Sequence, residues 1–296
     1  MTLPIIRILG TQNADFPNVN KHINYMKFQY IDTHAHVNFP EFDEDREDVI
    51  KRSLDEGVYI VNVGTNIESS KRAISIAEKY EDGVYAIVGI HPHEVMELEK
   101  NGLIDETLSE LKELAKHEKV IGIGECGLDF FKIEEYNKGA EVFKVKEVQE
   151  RVFRGQIDIA LDVDKPLMLH CRDSYGKTLE ILYNYSRVPS VRLRGNAHFF
   201  AGSLEQALAF ISCGFTVSFT GVITFAKNYE DLIKEIPLDK ILSETDCPYV
   251  APVPFRGKRA EPLHVKLVVQ KIAEIKGISI EEAREQIEKN VKQLFF

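Results

Sequence analysis

The 296-residue sequence is poor in cysteine and contains no long apolar run. Its four cysteines, Cys126, Cys171, Cys213 and Cys247, form no C-x-x-C pair. That spacing gives neither a disulfide framework nor a cysteine zinc site, and a reducing cytoplasm is the expected compartment. No stretch approaches the roughly 18 apolar residues of a membrane-spanning helix. The N-terminus lacks the charged start, apolar core and small-residue cleavage site of a secretory signal. Positive charge is in deficit, with a formal net charge of −10. Binding a duplex phosphate backbone takes many Lys and Arg contacts, so the acidic chain reads as a poor general binder of duplex. A nucleic-acid substrate would be held locally, by metal ions and a few basic side chains. Neither a membrane nor an obligate protein partner is expected.

Apolar residues make up 44% of the chain, enough for one large α/β barrel or two ordinary domains. Residues 1–25 have weak periodicity and scattered Asn, Pro and Gly. They read as an extension or a mis-assigned upstream translation, with Met26 near the start of a single domain spanning 26–296. From there, strand-like runs alternate with helical patterns. The expected strands are 29–34, 58–63, 84–90, 120–125, 166–171, 195–200, 216–221 and 241–246. Amphipathic stretches such as 46–56, 68–80, 105–117 and 142–161 lie between them. Pro262 and Ser279 are expected helix-start residues for two closing helices. Continuous Val/Ile/Leu-rich runs each followed by a helix signal buried parallel strands. Eight such units predict an α/β fold of the (β/α)8 TIM-barrel type, not an open doubly wound sheet.

Polar residues collect where those strands end. Strand one ends in Asp32-Thr33-His34-Ala35-His36, and strand three runs into His91-Pro92-His93. Strand four ends in Glu125-Cys126-Gly127-Leu128-Asp129 and strand five in His170-Cys171-Arg172-Asp173. Strand six carries His198, and strand eight ends in Glu244-Thr245-Asp246. The C-terminal strand ends of such a barrel form its active site. Residues i and i+2 of a strand point the same way, so His34 and His36 can grip one ion together. Imidazole suits zinc, manganese, nickel or iron. A carboxylate such as Glu125 has two oxygens and can bridge two ions. Alone, each is more often a packed or hydrogen-bonded group. Together they predict a metal site, because buried imidazoles and carboxylates are costly unless paired or metal-bound. Cys126, Cys171 and Cys247 each follow a candidate ligand directly, so they should face the other way as small buried hydrophobes.

The segments IDTHAHVNF, GIHPHEV, IGECGLDFF, HCRDS, the His198 segment ending in FAGS, and SETDCPYVAPVPFRGKRAEP resemble the TatD family of metal-dependent deoxyribonucleases. The resemblance runs from about Tyr30 to the C-terminus with the motifs in order. It implies two divalent metal ions (Zn, Mn, Mg, Ni or Fe). His34, His36 and Asp246 would hold one, His170 and His198 the other, and Glu125 would bridge them. Asp246, Glu125 and His93 would be catalytic, a two-metal-activated water attacking phosphorus while Asp246 orients it and takes its proton. His93, Arg172, Arg256 and Arg259 would contact substrate, with Lys258 nearby. The Arg256–Arg259 loop could equally be anchored rather than bound to phosphate, and His91 could be a structural loop residue. DNA, as single strands or ends, would be the substrate. Phe199 stands where the family often has Cys, and Ala260 where it has Asn, which leaves substrate range less defined than metal binding. His22, His117 and His264 are given no role, and His264 is expected at the surface. Rival expectations are a barrel hydrolase acting on a small amide, lactone or phosphomonoester, and a non-catalytic metal-dependent binding module.

Overall fold

Runs such as Val58–Val63 and Val84–Val88 place β-branched side chains on both faces, and nearly all of them are buried. Strands of that kind belong in a parallel sheet covered by helices. Eight do so: β1 (Tyr30–Ala35), β2 (Val58–Val63), β3 (Val84–Val88), β4 (Val120–Asp129), β5 (Leu167–Arg172), β6 (Gly195–Ala197), β7 (Phe215–Phe219) and β8 (Ile241–Ser243). Each pairs in parallel with the next, in chain order. The ring closes through a parallel bridge between Ala35 and Cys247. There the His36 N–H donates to the Cys247 carbonyl and the Asp246 N–H to the His34 carbonyl, both at 2.9 Å. The expected (β/α)8 barrel is therefore the fold. The structure, a computed structural model, describes residues 29–136, 138–188 and 191–296. The 1–25 segment and the Met26 start lie outside the described residues.

Helices Arg46–Asp55, Ile67–Ala77, Ile104–Leu114, Val142–Asp162, Tyr175–Ser186 and Leu204–Ser212 occupy the intervals between strands. Val265–Lys276 and Ile280–Phe295 close the fold. Ser279 caps the last helix, its side chain accepting from the Glu282 N–H at 3.1 Å. Pro262 opens a short 3-10 turn instead, and the helix proper begins at Val265. No described helix is long and apolar enough to cross a membrane.

Three strands end three or more residues from where the sequence pattern puts them, all at the end where polar residues gather. β6 and β8 stop at Ala197 and Ser243. Phe199 and Asp246 take φ values of 43° and 55°, which an extended ladder does not accommodate. His198 and Asp246 therefore sit beyond the sheet, at breaks in the backbone. β4 runs further than expected, to Asp129, pairing Gly127 with His170 and Asp129 with Arg172. Gly127 makes that pairing possible, with φ of 139° and no room for a side chain against the His170 carbonyl oxygen.

Candidate metal centre

The two histidines of β1 and the loop after it meet as their spacing predicts. Their Nε2 atoms lie 3.1 Å apart. Asp246 Oδ1 lies 3.8 Å from His34 Nε2 and 3.5 Å from His36 Nε2. Glu125 Oε2 lies 3.4 Å and 3.6 Å from the same two atoms. His36 Nδ1 is 2.9 Å from the Val63 carbonyl, which accepts its proton and leaves the Nε2 lone pair for the cluster. His34 Nδ1 is buried without a hydrogen-bond partner.

The other oxygen of Glu125 faces a second group. Oε1 lies 2.7 Å from His170 Nδ1, 2.9 Å from His198 Nε2 and 3.4 Å from His91 Nε2. One carboxylate thus touches two imidazole clusters through different oxygens. Among the described residues, His34, His36 and Asp246 lie close enough to hold one ion, and so do His91, Glu125 and His170.

Electrostatics fits that use. Burial, aided by His198, lowers the His34 imidazole to about 3, so it is neutral and a ligand at neutral pH. Burial likewise lowers His91 to about 4. Burial would also lower His36, His170 and His198, but neighbouring carboxylates outweigh it: chiefly Asp246 for His36, Asp129 for His170 and Glu125 for His198. Burial would raise Glu125, yet His198, His91 and His170 hold it well below the ordinary carboxylate range. Negative charge that holds protons this firmly holds a divalent cation by the same attraction. Facing imidazole nitrogens around a shared carboxylate are the donors first-row metals take.

A layer of carboxylates fixes the donors. Asp129 Oδ2 lies 3.0 Å from His170 Nε2 and 3.1 Å from His93 Nε2. Burial would raise Asp129, but hydrogen bonds from those two rings hold it below the usual range. Asp32 accepts from Thr245 N–H at 2.8 Å, Thr245 Oγ1 at 2.5 Å and His34 N–H at 3.3 Å, and burial still pushes its carboxyl up. Glu244, fully buried, accepts from Phe199 N–H at 2.7 Å and Ser218 Oγ at 2.6 Å. Its Oε1 stands 3.4 Å from His198 Nδ1. Ser218 accepts from Asn196 Nδ2 at 2.6 Å, and Asn196 Oδ1 accepts from Thr216 Oγ1 at 2.9 Å. A buried polar chain thus crosses β6, β7 and β8 to reach His198. Glu244→Gln should weaken metal binding about 10–100-fold, the usual cost of losing such a support. A chelator-competition titration checks this; unchanged affinity in a folded variant would rule the support out.

The structure brings His34, His36, Glu125, His170, His198 and Asp246 together. His91, left open between structural and functional roles, joins them. His93 is at the rim, its side chain 35% exposed and held on Asp129. Arg172 and Arg256 are exposed, each stacked on a phenylalanine. Arg259 is engaged within the protein: it pairs with Asp45 at 2.6 Å and Glu261 at 3.3 Å and covers the Phe42 ring. For Arg259, anchoring is the use its contacts serve. His264 is half-buried rather than on the surface, because its ring stacks on Phe255 at 4.4 Å and its Nδ1 accepts from Glu261 N–H. His117 pairs with Glu78 at 3.1 Å, away from the cluster. Cys126, Cys171 and Cys247 are buried, and burial pushes their thiols up, as fits small hydrophobes. Asp129 and Glu244 stood in the strand-end motifs without a role; only folding reveals which imidazole each supports.

The family model described as TatD related DNase matches residues 31–296. The chain belongs to this TatD family. Its members here include a Bacillus subtilis protein called an uncharacterized metal-dependent hydrolase, YabD. That protein is 40% identical over 267 residues, which is 89% of this chain and 98% of the relative. The Escherichia coli K12 protein named 3'-5' ssDNA/RNA exonuclease TatD is 32% identical over 264 residues, 86% of this chain and 94% of that one. Among solved structures, the E. coli TatD homologue YjjV superposes with a TM-score of 0.78 at 30% identity, covering 90% of this chain and 98% of its own. An organophosphorus hydrolase from Deinococcus radiodurans shares the barrel alone, at 14% identity and a TM-score of 0.59. As a TatD-family member the chain is a metal-dependent hydrolase of the ester-cleaving type.

Proposed function

We propose that this TatD-family hydrolase is an exonuclease-like deoxyribonuclease that cleaves phosphodiester bonds of single strands or ends with two divalent ions. The observation that carries this is the division of Glu125, one oxygen facing His34 and His36, the other facing His170, His198 and His91. His34, His36 and Asp246 would hold one ion, His170 and His198 the other, with Glu125 between. The nitrogen-rich donor set favours zinc, manganese, nickel or iron over magnesium. When bound, two such ions supply positive charge for the phosphate oxygens and an activated water. Asp246, at the edge of the cluster, would orient the attacking water and take its proton. His93, its ring fixed by Asp129, faces the rim as the proton donor or phosphate-oxygen partner for the leaving group. Support for a nucleic-acid substrate comes from the E. coli relative named as an ssDNA/RNA exonuclease. The net charge of −10 supports a short, locally held substrate over long duplex. A reducing cytoplasm suits the free cysteines.

The test is a substrate panel: single-stranded DNA, single-stranded RNA, duplex DNA, a lactone and an amide, each with added zinc, manganese or magnesium. Metal-dependent release of nucleotides from single strands is expected. Turnover of the lactone or amide with no phosphodiester cleavage under any metal would overturn the proposal in favour of a small-molecule hydrolase.

A further inference from the structure

Two arginines at the mouth differ from the others nearby. Arg52 and Arg259 are spent on Asp or Glu partners. Arg172 and Arg256 have no carboxylate partner among the described residues, although the chain is acidic. Each instead lies over a partly exposed aromatic ring, Arg172 on Phe131 at 3.7 Å and Arg256 on Phe225 at 3.9 Å from the ring centre. Arg172 ends β5 and Phe131 follows β4; Phe225 follows β7 and Arg256 follows β8. The two pairs therefore flank the segment after β6 that carries His198.

Both pairs are tied to the framework of the centre. Asp129 Oδ1 accepts the Phe131 N–H at 2.9 Å, while Oδ2 of the same carboxylate holds His170 and His93. The loop that carries Arg256 is fastened to the Phe225 segment by the Val253 N–H donating to Thr224 Oγ1 at 2.9 Å. A guanidinium stacked on a ring loses one face and some mobility, but none of its five in-plane donors. Those donors form the fork that fits two phosphate oxygens. Its outer face remains open to an unpaired base, which stacks on a planar cation as it does on an aromatic ring.

Resting on the proposed function, we propose that Arg172–Phe131 and Arg256–Phe225 are two seats for a single-stranded nucleic acid, one on each side of the linkage being cut. Each seat takes a phosphate on the guanidinium edge and an unpaired base on its face. Paired bases present no free face, so the seats select single strands over duplex. Phe131 and Phe225 act as positioning residues, holding each guanidinium flat.

The test compares wild type with Arg172→Ala, Arg256→Ala, the double variant, and Arg172→Lys/Arg256→Lys. A fluorescent single-stranded decamer with phosphorothioate linkages reports affinity by anisotropy, and the ordinary decamer reports KM and kcat. Each alanine should weaken binding about tenfold and raise KM more than it lowers kcat. The double alanine variant should flatten the dependence of log affinity on log salt by about 1.4, for two single-strand phosphates. The lysine pair should restore the salt dependence but not the affinity, because it keeps charge and lacks the planar stack. Phe131→Leu and Phe225→Leu should each weaken affinity with the arginines intact. A wild type that cleaves the decamer alongside variants of unchanged affinity would overturn the seats alone. A wild type that neither binds nor cleaves it would overturn the nuclease function as well.

Discussion

Glu125→Ala should lower metal-dependent phosphodiester hydrolysis by at least about a thousandfold, close to 4 kcal/mol of transition-state stabilisation. The side chain is 4% exposed as a residue and is touched by five imidazoles. Its removal takes away the one carboxylate common to both clusters. The imidazoles that remain would repel one another when protonated and would hold two cations with less opposing charge. Both clusters should therefore lose affinity, not only one. The informative measurement is metal content per chain alongside kcat. A variant that kept two ions and full activity would remove Glu125 from the centre. Glu125→Asp is a useful companion: the charge survives, but the shorter side chain cannot reach both groups, so a loss of one ion rather than two is expected.

Chelation should destabilise the protein strongly. At a free metal concentration about 1,000 times Kd, one bound ion stabilises the native state by about 4 kcal/mol. For a domain of this size each kcal/mol corresponds to roughly 2–4 °C in Tm. Stripping even one tightly held ion should then lower Tm by about 10 °C, and returning zinc or manganese should restore it. The cause is local. The imidazole and carboxylate atoms of the centre are packed together at low exposure and need a cation among them. Scanning fluorimetry with and without chelator measures the shift. An unchanged Tm would mean that no ion contributes to the folded state.

Much of this was legible in the chain because metal ligands in a barrel obey two local rules. They fall at strand ends, and strand alternation sets which neighbours share a side. His34 and His36 follow both and His170 follows the first, whereas Glu125 lies inside β4, which runs on to Asp129. The exact ends of β6 and β8 were not legible, because the breaks are made by Phe199 and Asp246 at positive φ, where residue type gives no warning. Partner choice was equally hidden. Nothing in the spacing of Asp129 or Glu244 says that one supports His170 and His93 and the other His198. Arg172, Arg256 and Arg259 look alike in the sequence. Tertiary contacts separate them, since Arg259 meets Asp45 from the segment after β1 while the other two lie over rings and have no carboxylate partner among the described residues. His264 looked like surface until Phe255 folded back on it.

The hydrogen-bonded chain from Thr216 through Asn196 and Ser218 to Glu244 gives the catalytic mouth a deep foundation. Distance from the opening is therefore a poor guide to which positions tolerate change. A substitution at Thr216 or Asn196 lies under the chemistry rather than beside it, and it could retune His198 while leaving every exposed contact intact. Efforts to alter what this barrel hydrolyses would do best to vary its rim and leave that inner column alone.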